Sequence, residues 1–474
     1  TVLPPCAIRI ALPRPGGSVP ASRRRQRIDG GKMLDGLSGI RHASYWLDEA
    51  GAAPPPPTGE TGPLPASADV VVIGAGYTGL WTAWYLNRFD PALDIHVVEA
   101  ETAGFGASGR NGGFCCLGGS MAEDAALDRR FGREGRLEYR ATEVAAVNLV
   151  DRLITRHGIG VDRHSRGETE LAHRARDMET LRRRADSIAE NYGVEAELIE
   201  AKELGHHGMA GPFHGAMTLP IGFGLNPRKY LAGLAAAAEG AGAMLVEGSP
   251  VTDLCRDGHG WRLTAGQGTL RADQVIIATN GYSSEDLPDW FAGRYMPGQS
   301  NVLVTRPLSE AELSAAGWTT DQMAYDTRNL LHYFRLMPDR RFLFGMRGGL
   351  LTGTTAEARS KARIRRDFES MFPAWAGVES THMWSGMVCL ARDLLPFVGA
   401  VPNAPGLWAG LCYHGNGVAM GSYSGALLAD LVQGKTPGLD RPQAMCKPLS
   451  RFPFGRLRRA VMPVAYAGLM MADR

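Results

Sequence analysis

The residues best suited to chemistry stand in one short run, Asp69 to Leu80, which reads DVVVIGAGYTGL. Four β-branched residues, Val70 to Ile73, form a strand that is apolar on both faces, and Gly74 ends it in a sharp turn. A helix follows. Gly74 permits the turn, Gly76 lets the main chain approach a pyrophosphate and Gly79 lets the helix pack on the strand. Ala75 and Thr78 complete the turn, and the open N–H groups of the helix start receive phosphate. A second strand, Ile95 to Val98, ends in Glu99, 20 residues after Gly79, with Ala100 next to it. An acid at that distance takes the ribose hydroxyls of an adenine dinucleotide. A βαβ turn without a ligand has no need of the glycines and the acid together.

The elements that position this turn belong to a long chain. At 474 residues it exceeds the roughly 250 to 300 at which one core stops growing, so two lobes are expected. A hydrophobic content of 44% with 21% charged residues fits a globular enzyme. A net charge of +2 argues against a polyanionic partner such as nucleic acid, and the basic runs Arg23–Arg27 and Arg182–Arg184 are short. The seven cysteines show no C-x-x-C spacing. Cys115 and Cys116 alternate in direction along a strand and read as packing thiols. The lack of a framework suits a reducing compartment, and a cytoplasmic location is expected. His206 and His207 have no acid or thiol cluster nearby, so no metal is expected. No uninterrupted apolar run reaches the roughly 20 residues that span a bilayer, so no membrane insertion is expected.

Past Glu99 lies the glycine-rich run GFGASGRNGGF, Gly104 to Phe114. Ala107, Ser108, Arg110, Asn111, Gly112 and Gly113 give it a main chain that can pass close to a flat ligand and several donors. Taken together, GAGYTGL and GASGRNGG resemble the opening of the D-amino-acid-oxidase-like family of FAD-dependent oxidoreductases, in particular its branch containing gamma-glutamylputrescine oxidoreductase. The resemblance covers roughly Ser44 to the C-terminus. It implies an α/β fold in which a Rossmann-like FAD-binding domain, of the glutathione-reductase type, is interleaved with an α+β substrate domain built on a mostly antiparallel sheet.

The order of the chain fits that plan. Residues 1–65 form a tail and a proline-rich linker around Pro54–Pro57, with the native start expected at Met33 and the segment Ser44 to Leu47 packing back on the body. The FAD-binding domain is expected at 66–159, 221–292 and 384–440, the substrate domain at 160–220 and 293–383, and a tail at 441–474. A long helix or helix pair is expected over Met121–His157, a strand pair over Gly160–Ala172 and a charged helix over Arg174–Tyr192. Asn226 and Pro227 open a further helix as N-cap and first residue. Strand Val275–Ala278 ends in Thr279, Asn280 and Gly281, the turn that lies beside adenosine in the family, and Val251 to Leu254 lie near the adenine. Strands at Asn301–Thr305, His332–Leu336 and Arg341–Met346 and a helix at Ala356–Met371 form the floor of a substrate cavity. Finally, strand Leu407–Cys412 leads through His414 to Gly415, Asn416, Gly417 and Val418. The helix that starts there would aim its positive end at the flavin pyrimidine.

The implied reaction is hydride transfer from an amine-bearing carbon to flavin N5, on a small-molecule amine, with O2 or another electron acceptor closing the cycle. It demands orientation more than a dedicated base, and no catalytic residue is assigned. Two departures bear on the substrate. Family members that oxidise free amino acids carry an arginine two residues after W-x-G, where this chain has Val388, and another where it has Gly415. Losing both disfavours a small free amino acid and leaves a gamma-glutamyl amine, a polyamine or another larger primary or secondary amine. The replacement candidates are Arg335, Arg347 and Arg392, and Tyr333, Trp384, Tyr413 and His414 are candidates to line the pocket. No lysine lies within Gly293–Met346, which weighs against an oxidase. Cys389 is shifted from the position used for covalent flavin attachment, so the FAD is expected to be non-covalent. The alternatives are a sarcosine- or glycine-type amino-acid oxidase or dehydrogenase of the same family, a nicotinamide-linked dehydrogenase, and a flavin-binding assembly protein without turnover. No oligomeric state is read from the sequence.

Overall fold

The computed structural model describes residues 41, 43–48, 64–266, 268–348 and 354–473. Met33 and the proline run Pro54–Pro57 lie outside the described residues. In chain order the elements begin with a short helix, α1 (Tyr45–Asp48), then β1 (Ser67–Ile73), α2 (Tyr77–Phe89), β2 (Ile95–Val98), β3 (Phe114–Cys115) and the long α3 (Asp124–His157). Next come β4 (Glu168–Leu171), α4 (Ala175–Tyr192), β5 (Glu197–Glu200), β6 (Gly215–Leu219), β7 (Phe223–Gly224), α5 (Pro227–Gly240) and β8 (Met244–Val246). A meander of β9 (Val251–Asp257), β10 (Gly260–Ala265) and β11 (Gly268–Ile277) is followed by β12 (Tyr295–Pro307), α6 (Glu310–Ala316), β13 (Met323–Asp326), β14 (His332–Leu336) and β15 (Arg341–Arg347). The chain closes with α7 (Thr354–Met371), β16 (Ser380–Ala391), β17 (Phe397–Ala400), β18 (Leu407–Leu411), α8 (Gly417–Val432), α9 (Gln443–Cys446) and α10 (Met462–Ala472).

Two sheets organise these elements. In the first, β18, β11, β1, β2 and β8 run parallel in that order, β17 borders β18 and the β9–β10 hairpin extends from β11. The strand Val70–Ile73 is central, paired on both sides, which is why its β-branched run is buried on both faces. Helices α2 and α8 pack against each other on this sheet, and Gly425 makes their close approach possible, since a β-carbon there would stand 2.6 Å from the Thr78 main-chain oxygen. The second sheet runs β16-β12-β15-β14-β13-β4-β6-β5 and is antiparallel at every pairing except β13 with β4. It is the mostly antiparallel floor that the short alternating strands predict. β16 runs through position 384 and pairs with β12 along nearly its whole length.

Several local expectations correspond to observed elements. The segment at Ser44 packs back with Tyr45 and Trp46 buried. Asn226 caps α5 by accepting from the N–H groups of Arg228 and Lys229. The long helix is interrupted at Gly132, whose φ of 73° and ψ of 170° are not helical, so it is both a long helix and a pair. One expectation fails. Of Gly160–Ala172, only β4 is a strand, because Asp162, Ser165 and Gly167 all take positive φ and the preceding residues make a single bridge, His164 to Gly224. The short strands β5, β6 and β13 carry no strong pattern in the sequence and are seen only in the fold. Among the described residues, no helix is long and apolar enough to cross a membrane, and no group of His, Cys, Asp or Glu could hold a metal ion.

Candidate active site

The parallel strands β1 and β18 each feed a helix through a glycine turn, and a third turn follows β11, all at the same edge of the sheet. At the first turn, Gly74 has φ +107° and packs on the main chain of Ala278, tying it to the turn after β11. A β-carbon on Gly79 would stand 2.0 Å from the Gly74 oxygen, so only glycine lets α2 approach the strand this closely. Gly76 faces Ser108, whose hydroxyl accepts from the Tyr77 N–H at 3.0 Å. Glu99, at the end of β2, accepts from the N–H groups of Ala75 (2.8 Å) and Glu101 (3.1 Å). Burial raises its pKa and these main-chain bonds oppose the rise.

The second glycine run is held rather than loose. Asn111 accepts from the Gly113 N–H and donates to the oxygens of Ala107 and Ser108. The Trp46 indole donates to the Asn111 oxygen at 2.8 Å, and the Ser44 hydroxyl donates to the Gly109 oxygen at 3.0 Å. The Trp384 indole donates to the Arg110 oxygen at 2.9 Å. At the last turn Cys412 and His414 take positive φ, as does Gly415, a strained strand-to-helix connection of the kind found at functional sites. The Cys412 N–H donates to the Asn280 side chain, which joins this turn to the one after β11.

One cavity of about 660 Å³ runs through all these turns. Gly74, Gly76, Thr78, Glu99, Ala100, Ala107, Ser108, Arg110, Asn111, Gly112, Val251, Thr279, Asn280, Gly415, Asn416, Gly417 and Val418 line it. Ala75, Gly79, Gly113 and Gly281 stand behind the wall, where they carry the packing and hydrogen bonds that shape it. Both helix starts reach the cavity with no side chain capping them: the N-caps are Gly76 for α2 and Asn416 for α8. Apart from the Tyr77 N–H, which donates to Ser108, the N–H groups of these helix starts are the kind of donor that an anionic pyrophosphate and an electron-rich ring edge require. The residues present therefore fit an elongated adenine dinucleotide carrying a flavin.

The cavity continues over the face of the second sheet, where Ser300, Tyr325, Tyr333 and Arg347 line it with Phe114, Cys116 and Glu168. The Tyr333 hydroxyl pairs with Ser300 at 2.9 Å. Of the other substrate candidates, Arg335, Trp384 and His414 do not line it. Arg335 is buried, donates to the Leu225 oxygen and to His164, and lies over the rings of Trp46 and Phe114. Its charge has no carboxylate partner among the described ion pairs, and burial pulls its pKa down to about 9. It braces the end of the second glycine run. His414 accepts from the Ala391 N–H and donates to the Gly119 oxygen; burial pulls its pKa to about 4, so it is a neutral latch between strands. Arg392 donates to the Arg451 oxygen, outside the cavity.

Of the three arginine candidates, Arg347 is the one that lines the cavity. Its guanidinium donates to the His414 oxygen at 3.2 Å, lines the cavity and forms no ion pair among the described residues. Enclosure by the protein lowers its pKa. Glu168 and Tyr325 carry no motif in the sequence, and Cys116, which reads there as a packing thiol, lines the cavity instead. The one available signal was the ETEL alternation, which sets Glu168 and Glu170 on one face of a strand.

Comparison with known proteins accords with this geometry. The family model for FAD-dependent oxidoreductases, DAO, matches residues 69–431. A probable oxidoreductase OrdL of Rhizobium meliloti is 31% identical over 411 residues, covering 86% of this chain and 92% of the relative. The gamma-glutamylputrescine oxidoreductase of Escherichia coli is 29% identical over 407 residues, covering 85% and 92%. The crystal structure of glycine oxidase from Geobacillus kaustophilus superposes with a TM-score of 0.66 at 22% identity, over 82% of this chain and all of that one. With the glycine turns converging on one dinucleotide-shaped cavity, the chain belongs to the DAO family of FAD-dependent oxidoreductases.

Proposed function

We propose that this flavoenzyme oxidises the C–N bond of an amine that also bears a carboxylate, with a gamma-glutamyl amine as the model substrate. The observation that carries the reading is Arg347, a cation inside the cavity with no acidic partner among the described residues. Such a group costs free energy unless a ligand answers it. Bound FAD supplies the two-electron acceptor for the hydride that leaves the amine-bearing carbon. The protein supplies placement: Arg347 orients the carboxylate, Tyr333 and Ser300 form a hydrogen-bonded pair on the floor, and the second sheet covers the reacting carbon from water. No lining residue is lysine, in keeping with a dehydrogenase that uses an acceptor other than O2. The six described cysteines are free thiols, the state a reducing cytoplasm maintains.

A second reading, a sarcosine- or glycine-type enzyme, is favoured by the same Arg347, which restores one of the two arginines missing at 388 and 415. Against it, position 388 is valine and the cavity also takes in Glu168 and Tyr325. Anaerobic mixing of the holoenzyme with gamma-glutamylputrescine, putrescine, sarcosine and glycine tests both. Fast bleaching of the flavin by the first compound is expected. Bleaching by glycine or sarcosine alone selects the second reading, and bleaching by none overturns both in favour of a flavoprotein without amine turnover.

A further inference from the structure

Strand β4 places two acids on one face, and their surroundings differ. Glu170 is answered: Arg184 pairs with it at 2.5 Å and the Tyr325 hydroxyl donates to it at 3.3 Å. Glu168, one step along the same face, is 7% exposed, lines the cavity and forms no ion pair among the described residues. Its neighbours across the sheet are Leu219 on β6 and Met323 on β13, and the thiol of Cys116 is in hydrogen-bond contact with it. Nothing in the hydride chemistry proposed above uses this carboxyl. A carboxyl buried beside a ligand cavity without a cation is costly as the anion, and a cationic ligand removes that cost.

We propose that Glu168 receives a second, non-reacting ammonium group of the substrate, so that the enzyme selects amines carrying a distal cationic nitrogen. This rests on the amine-oxidising reading. Arg347, in the same cavity, takes the carboxylate and so shields the ammonium from its own charge. Together the two residues match the amino-acid head of a gamma-glutamyl amine, whose other end then reaches the flavin. The charged and titratable groups around Glu168 are Glu170, Glu143, Arg184, Cys116 and Tyr325. Burial, helped by the charge of Glu170, raises its pKa to about 8, while Cys116 and Arg184 act the other way. Without a cationic ligand it therefore holds a proton near pH 7, and arrival of an ammonium group expels that proton to solvent.

The test uses the FAD-loaded enzyme and two ligand pairs that differ only in the distal ammonium: gamma-glutamylputrescine against glutarylputrescine, and 1,4-diaminobutane against butylamine. Affinity is read from perturbation of the flavin spectrum and proton release from a weakly buffered solution at pH 7. In wild type, at least one pair should show about tenfold or greater preference for the distal ammonium, with close to one extra proton released. In Glu168→Gln that ratio should fall to about 1 and the extra proton should vanish, whereas Glu170→Gln, outside the cavity, should keep the preference. Oxidation of these amines without any such preference, or a preference and proton release that survive Glu168→Gln, overturns the inference and leaves amine oxidation standing. A flavin that no amine perturbs or reduces overturns both. The proton count needs only the wild-type protein, so the result does not depend on the variant folding.

Discussion

Arg347 reaches across from the second sheet until its Nη2 lies 3.5 Å from where a β-carbon on Gly415 would stand. A residue of the second sheet thus brings a guanidinium to the turn where the chain itself has glycine. If this group binds a substrate carboxylate, Arg347→Met should raise KM for carboxylate-bearing amines by about 10- to 100-fold, the usual range for a hydrogen bond to a charged group. Arg347→Lys should recover only part, since an ammonium cannot make the two-pronged contact. Steady-state kinetics with gamma-glutamylputrescine and putrescine would check this. An equal loss for both substrates would assign Arg347 to the turn instead.

The first glycine turn makes a graded prediction. A methyl group at position 79 meets the Gly74 main-chain oxygen at 2.0 Å, which cannot move without the strand, so Gly79→Ala should give protein that holds little flavin. A methyl at position 76 meets the Ser108 hydroxyl at 2.9 Å. Gly76→Ala should weaken flavin retention less, and adding Ser108→Ala should restore part of it. The ratio of flavin to protein absorbance after gel filtration measures all three.

The short α1 helix braces the second glycine run without lining the cavity, so it should influence flavin binding from behind the wall. Replacing Trp46 by Phe keeps the ring against Trp384 and Arg335 and removes only the 2.8 Å bond to the Asn111 oxygen. A net loss of about 1 kcal/mol corresponds to about a fivefold rise in the Kd for FAD. Titration of the apoprotein by flavin fluorescence quenching would detect it, and an unchanged Kd would mean that the loop holds its shape alone.

How far the sequence carried the reading follows from where the information lies. Gly74, Gly76, Gly79 and Glu99 were legible because their spacing is dictated by local geometry, a strand, a turn and a helix in succession. Asn226 was legible for the same reason. Glu168 was not, because its meaning depends on β4 lying beside β13, residues more than 150 positions apart in the chain, and on Arg184 choosing Glu170 instead. Arg335 was misplaced because, two positions after Tyr333 on β14, it looks like another floor residue. The strand does put both on one face, but Arg335 ends under the second glycine run, bonded to Leu225. Arg392 shows the opposite limit: proximity in sequence to the W-x-G segment did not bring it to the cavity.

Cys389 lines the cavity, and its sulfur lies 3.3 Å from that of Cys412. Burial pushes the Cys412 thiol far up, with Cys389 adding to the rise, so Cys412 is poorly suited to act as a thiolate nucleophile, and Cys389 is held in a hydrogen bond with it. The flavin should therefore be released by acid precipitation, leaving a colourless pellet. Cys389→Ser should retain a full complement of FAD. Yellow colour that stays with the denatured chain, and is lost in the serine variant, would instead mean a covalent link.

The state of Glu168 also sets a pH dependence of stability. In the ligand-free protein its pKa is raised to about 8 from an ordinary value of 4.5, first by burial. Between those values the folded protein holds a proton that the unfolded chain releases, so stability falls as pH rises. The contribution is complete below about 4.5 and gone once pH has passed through about 8. Glutamine at this position keeps the shape of the protonated acid and cannot ionise. The difference in unfolding free energy between wild type and Glu168→Gln should therefore shrink or grow only within that window, always moving against wild type with rising pH, by a total on the order of a few kcal/mol. Denaturant unfolding of the substrate-free holoenzyme at pH 5, 6, 7 and 8 measures it. Parallel curves for the two proteins would mean that Glu168 is already ionised without substrate, answered by a cation that the ion pairs described above do not include.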